Sequence, residues 1–109
     1  MIIFLKGKAS EEEIKKASEE FGDYVKIVVD IAREIVCLGG KFHADAEKEL
    51  LERGSLQKDI WGGGLDLKNG HIDTTAIINI RPLLGNDTME IIVPGIREAF
   101  LKLAEKYLK

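Results

Sequence analysis

Tyr24-Val25-Lys26-Ile27-Val28-Val29-Asp30-Ile31, followed after Ala32-Arg33 by Glu34-Ile35-Val36-Cys37-Leu38, is the stretch whose reading decides the fold. β-Branched side chains crowd both runs, as suits a pleated, half-buried surface, and the polar break around Arg33 leaves room only for a turn. Two adjacent antiparallel strands follow, the second bent or ended by Gly39-Gly40. Upstream, Met1 to Leu5 is a short buried strand stopped by Lys6-Gly7-Lys8. Ser10 and Glu13 then form a capping box for a helix with Ile14, Ala17 and Phe21 on one face, ended by Gly22. Strand, helix and strand in that order are the parts of a right-handed βαβ crossover.

Downstream, Asp45 is positioned to cap a second helix running to Arg53, with Ala46 and Leu50 on its apolar face and Gly54 just past its end. Ser55 to Trp61 is read as one short turn, after which Gly62-Gly63-Gly64 opens the chain. Leu65 to Asp73 around Asn69-Gly70 is a hairpin, Asn-Gly being the strongest short turn signal. A two-residue loop sets Lys68 opposite His71, Leu67 opposite Ile72 and Asp66 opposite Asp73. Continued alternation carries the second arm to Ile80, with Asp66, Lys68, His71, Asp73, Thr75, Ile77, Asn79 and Arg81 on one face. Leu65, Leu67, Ile72, Ile78 and Ile80 take the core face. Pro82 ends this arm, and Pro94 opens a closing helix with the stripe Ile96, Phe100, Leu103 and Tyr107. The expected fold is α+β: a mostly antiparallel sheet of about five strands with helices mainly on one face.

A length of 109 residues fits a single domain, and a composition 45% hydrophobic and 32% charged excludes disordered and low-complexity classes. The net charge of −3 is spread along the chain and offers no footprint for a nucleic-acid backbone. No apolar run reaches the ~20 residues a membrane span needs, and a cytoplasmic location is expected. The single cysteine, Cys37, lies in an apolar run and reads as a buried, inert thiol. Charges dominated by Lys and Glu, with Gln57 the only glutamine, lean toward a thermophilic source.

No catalytic signature stands out, so reaction and cofactor stay open. Two carboxylates facing each other, Asp66 and Asp73, are either solvated or placed for a cation or proton. His43-Ala44-Asp45-Ala46-Glu47 gathers metal-ligating groups, although in a helix only His43 and Glu47 align. His43 fits a pocket rim or a helix-terminus hydrogen bond equally well. The three glycines beside Trp61 could let a ligand approach the backbone, but Leu65-Asp66 replaces the Lys and Ser/Thr of a P-loop. Asn79, Arg81, Asn86 and Arg97 could donate to a carboxylate or phosphate, or pair with Asp87 and Glu90. The first functional expectation is therefore a small-ligand or anion-binding pocket, with or without catalysis, built from His43, Trp61, Asp66, Asn79 and Arg81. The alternative is a homo- or hetero-oligomeric interaction module, to which an exposed Ile77 would contribute. A metal-dependent hydrolase using His43, Asp45, Asp66 or Asp73 is the third.

Gly39-Gly40-Lys41-Phe42-His43-Ala44-Asp45, Asp59-Ile60-Trp61-Gly62 and Ile78-Asn79-Ile80-Arg81-Pro82, with Gly85-Asn86, Met89-Glu90-Ile91, Pro94 and Ile96-Arg97, carry a resemblance. From Tyr24 to Arg97 the chain resembles a family of short prokaryotic proteins known only as a domain of unknown function. That resemblance implies a shared single domain and transfers no mechanism.

Overall fold

The computed structural model describes residues 1–109. Five strands, β1 (Ile2–Phe4), β2 (Tyr24–Asp30), β3 (Ile35–Gly39), β4 (Ile60–Asp66) and β5 (Ile72–Asp73), form one antiparallel sheet in the order β1-β3-β2-β4-β5. Three helices, α1 (Glu11–Ala17), α2 (His43–Glu52) and α3 (Pro94–Leu108), complete an α+β fold. β1 and β2 both run antiparallel to β3 and hence parallel to each other. The strand–helix–strand unit is therefore present, with β3 inserted between its two strands.

Alternation along the strands divides the core. Val25, Ile27, Val29, Val36, Leu38, Trp61 and Leu65 face α1 and α3, where Phe100, Leu103 and Ala104 complete the larger cluster. Val28, Cys37 and Ile60 project from the opposite face under Ala46 and Leu50 of α2. Two helices thus cover one face, and α2 covers part of the other. Cys37 is fully buried and its thiol pKa is pushed up to about 12, chiefly by burial.

The capping box forms as the sequence indicates: Glu13 N–H donates to Ser10 Oγ (3.1 Å) and Ser10 N–H donates to Glu13 Oε1 (2.9 Å). At α2 the cap moves. Phe42 is the N-cap, and Asp45, three residues on, accepts its N–H at 3.1 Å. Asp45 thus closes the helix start from inside the first turn, and His43 is the first helical residue. Arg53 and Gly54 end α2, Gly54 at φ 98°. Between β2 and β3, buried Asp30 accepts the Ala32 and Arg33 amides (2.9 Å each) and the Ser55 hydroxyl (2.6 Å), tying the hairpin to the loop after α2.

Three sequence expectations are corrected. Gly62-Gly63-Gly64 is the middle of β4, paired with β2 throughout, because tertiary contacts occupy the space that side chains would fill. A Cβ on Gly62 would come within 3.1 Å of His43 Cδ2, one on Gly63 within 2.7 Å of Phe100 Cζ, and one on Gly64 would overlap the Tyr24 hydroxyl. The hairpin register slips by two positions: Asp73 pairs with Gly64, and Asp66 N–H donates to the His71 carbonyl, so Leu67 to Gly70 form a four-residue turn. A slip of two preserves the faces but separates Asp66 from Asp73 along the ladder. Finally, the second arm leaves the sheet after Asp73. Short 3-10 turns at Ile77–Asn79 and Pro82–Leu84 replace the continuous strand, leaving Leu67 and Ile80 exposed and Asn79 buried.

The triglycine strand makes a direct test. Gly64→Ala collides with the Tyr24 ring and is expected to lower unfolding free energy by roughly 1–3 kcal/mol, the range for overpacking. Gly7→Ala, with nothing within 4 Å of the added carbon, should stay within about 0.5 kcal/mol in urea unfolding.

Candidate functional site

Where β5 departs, the edge of β4 needs partners. Gly62 N–H donates to Asn79 Oδ1 (2.8 Å), while Asn79 Nδ2 donates to the carbonyls of Gly62 (2.8 Å), Thr74 (3.1 Å) and Met89 (3.0 Å). The carboxamide stands where the next peptide of β5 would have stood. Asn86, also fully buried, repeats the device: its amide donates to the carbonyls of Asn79, Thr88 and Glu90 and its oxygen accepts the Ile92 amide at 2.7 Å. These two side chains hold residues 74–93 against the sheet. Thr74 and Thr75 hydroxyls, helped by Arg97, grip Glu90 and hold its carboxyl pKa below the usual range.

Arg81 is equally committed. Its guanidinium donates to Glu47 Oε2 (3.0 Å), to the Ile78 carbonyl (3.0 Å) and to the Gln57 carbonyl, and lies 4.7 Å from the Trp61 ring centre. The Arg81–Glu47 pair is mostly buried and bridges the loop to α2. Trp61 is fully buried, its indole N–H donating to the Lys58 carbonyl at 3.2 Å. Asp66 Oδ1 accepts the Lys68 amide in the hairpin turn.

The five residues expected to share a pocket therefore do not: His43 opens onto a groove beside α2, and Arg81 borders a separate cleft with Gln57, Pro82 and Leu84. Trp61, Asn79 and Arg81 are used in packing and edge-sealing, and Asp66 in a turn. The metal candidates His43, Asp45, Asp66 and Asp73 are not gathered either; no cluster of three or more His, Cys, Asp or Glu is close enough to hold an ion. The reason is local. Asp45 turns back onto Phe42, Asp66 belongs to the hairpin turn, and Asp73 is engaged by Tyr24 and by the Thr75 amide (3.0 Å).

The cavity with His43 is a groove of about 360 Å³ beyond the N-terminus of α2, over the Gly62–Gly64 side of β4. Ala76, Ile77, Ile78 and Met89 of the sealing segment form one wall, Phe42, His43 and Ala44 the other, and Lys26 of β2 reaches in from the sheet. Ile77 is 75% exposed at the rim, as expected from the sequence. Lys26 is half-buried on a central strand and has no carboxylate within 4 Å; its ammonium rests against the Phe21 ring (4.7 Å) and farther from that of Tyr24 (5.9 Å). Tyr24 crosses over Gly64 to donate to Asp73 Oδ2 on β5 (2.8 Å), and burial followed by this carboxylate drives its hydroxyl pKa upward. Asp73 is thereby satisfied without Lys26.

His43 is held by its ring. Nε2 lies 2.7 Å from the Gly63 carbonyl, which can only accept, so Nε2 carries the proton and the neutral ring keeps a lone pair on Nδ1. Nδ1 has no partner within the fold. Since no buried side-chain nitrogen or oxygen is unpartnered, Nδ1 is open to solvent. Burial pulls the His43 pKa below its ordinary value, the Gly63 bond opposing and Lys26 reinforcing that shift.

The chain belongs to the DUF5674 family. Residues 3–107 match it, and the family is described as proteins of unknown function. No curated protein and no solved structure matches the chain. In this DUF5674 protein the residues of the motifs quoted above are mostly architectural: Asn79, Arg81 and Asn86 seal and brace the sheet edge, whereas His43 opens on the groove. Lys26 and Tyr24 do not stand out in the sequence, where one lysine in an apolar strand reads as an ordinary wet position. The signal that could have found Lys26 is its place in a strand too apolar to be half solvated.

The His43 shift has a defined sign. Above the ordinary value of 6.5 the imidazole is neutral in folded and unfolded chains alike. Below it the unfolded chain takes up the proton first, so stability falls as pH drops toward the lowered folded pKa. Histidine NMR titration is expected to show His43 titrating below that value, with its proton on Nε2 in the neutral form.

Proposed function

We propose that this protein binds a small organic anion with an apolar body in the groove over the triglycine strand. The observation that carries this reading is Lys26: a half-buried lysine lining the groove, with no carboxylate within 4 Å of its ammonium. A cation beside an apolar wall interacts more strongly with an incoming anion than a free surface lysine does. The walls supply the rest of the chemistry, since Ala76, Ile77, Ile78 and Met89 are apolar and flexible Met adapts to varied shapes. His43 and Ala44 bring the N-terminal end of α2 to the same rim, whose partial positive charge acts with Lys26. A volume of about 360 Å³ is at the small end of ligand pockets, and a net charge of −3 disfavours polyanions such as nucleic acid.

A second reading, an oligomer interface, has separate support in Ile80, Leu83 and Leu84, exposed at the far tip of the sealing segment. It does not involve the groove.

The test uses hexanoate and amide NMR. Hexanoate is expected to shift the signals of Lys26, His43, Ala44 and Ile78, and Lys26→Met, which keeps the stem and removes the charge, should weaken binding by roughly tenfold. If hexanoate leaves those signals unmoved, or binds Lys26→Met equally well, the groove is not an anion site.

A further inference from the structure

Two polar residues of different character line the groove. Lys26 is a cation, and it can only donate. His43 Nδ1 is a neutral lone pair, and it can only accept. The Gly63 carbonyl leaves the ring no choice of tautomer, because an acceptor at 2.7 Å from Nε2 requires the proton to be there. Ring rotation is restricted as well: His43 Cδ2 lies beside Gly62, 3.1 Å from where a Cβ would stand. The absence of side chains at Gly62 and Gly64 is thus what admits the imidazole from one side and the Tyr24 ring from the other.

A bare carboxylate would meet Lys26 but offer Nδ1 nothing. On binding it would strip water from that lone pair without replacing the hydrogen bond, a cost comparable to the bond itself. A molecule that carries a hydroxyl beside its anionic group satisfies both. From this pairing of a fixed acceptor with an unpaired cation, we infer that the groove selects hydroxylated organic acids over the corresponding unsubstituted acids. This specificity rests on the anion-binding reading above and extends it to a ligand class.

The titratable groups around the ring also set the condition under which selection operates. Lys26 on β2 and Asp73 on β5 are the charged groups that bear on His43, and the facing wall from Thr75 to Ile78 contributes none. Burial, reinforced by Lys26, favours the neutral imidazole, which keeps Nδ1 an acceptor. Protonation of His43 would convert it into a second donor and remove the reason to prefer a hydroxyl.

The experiment compares hexanoate with 2-hydroxyhexanoate and 3-hydroxyhexanoate on the intact protein, above the ordinary histidine pKa, following amide shifts and the imidazole nitrogen signals. One or both hydroxy acids are expected to bind roughly three- to tenfold more tightly than hexanoate, the worth of one hydrogen bond, and to move the Nδ1 signal. Acidification through the His43 titration should erase that preference while hexanoate still binds. His43→Phe should erase the preference for the hydroxy acids, and the pH arm needs no variant to fold. Equal binding of all three acids with Nδ1 unmoved overturns the specificity and leaves the anion site standing. If none of the three binds, the anion site itself is lost.

Discussion

The carboxamide of Asn79 is the interaction on which the rest of this structure depends. The Gly62-Gly63-Gly64 stretch of β4 has no side chains with which to hold a neighbour, and β5 abandons it after two residues. The donor and acceptor of Gly62 would then be exposed at a bare edge, which is costly when buried and hazardous when open. Asn79 supplies both partners from one side chain and also fastens the carbonyls of Thr74 and Met89. Asn86 fastens the layer behind it. Arg81, stacked on Trp61 and paired with Glu47, closes the corner between this segment and α2.

The groove follows from that arrangement. Because the sealing segment is held by side-chain amides rather than by a continuous ladder, it leaves the sheet after Asp73: Ala76 and Ile78 close over Gly62 and, with Ile77, form the groove wall that faces the start of α2. The same lack of side chains admits the His43 ring to a backbone carbonyl and lets Tyr24 reach across β4 to Asp73. The Tyr24 bond takes up a carboxylate that could otherwise pair with Lys26. What remains at the surface of the groove is one unpaired cation, one oriented acceptor and an apolar wall.

Much of the fold is legible in the sequence because its signals are local. The β-branched runs around Asp30 produce β2 and β3, the Ser10–Glu13 box produces the start of α1, and the 3.6-residue stripe through Phe100 produces α3. The triglycine misleads because its strand is held by residues distant in the chain, such as Tyr24, His43 and Phe100, which no local pattern reveals. Asn79 and Arg81 read as ligand donors for a related reason. A polar side chain that completes a sheet edge looks, in sequence, like one that awaits a substrate. His43 is legible as a rim residue, but its tautomer depends on the Gly63 carbonyl, and Lys26 becomes significant only because Asp73 is engaged by Tyr24.

Native-state hydrogen exchange at the Gly62 amide tests the role of Asn79 most directly, since Asn79 Oδ1 is the acceptor that seals this amide. The expected result is protection comparable to that of Val28 and Val29 in the neighbouring strand, with exchange only on opening of the sheet. Exchange at the rate of the exposed Gly7 amide would contradict it. The sealing segment would then be detached from β4, and the groove would not exist as a preformed site.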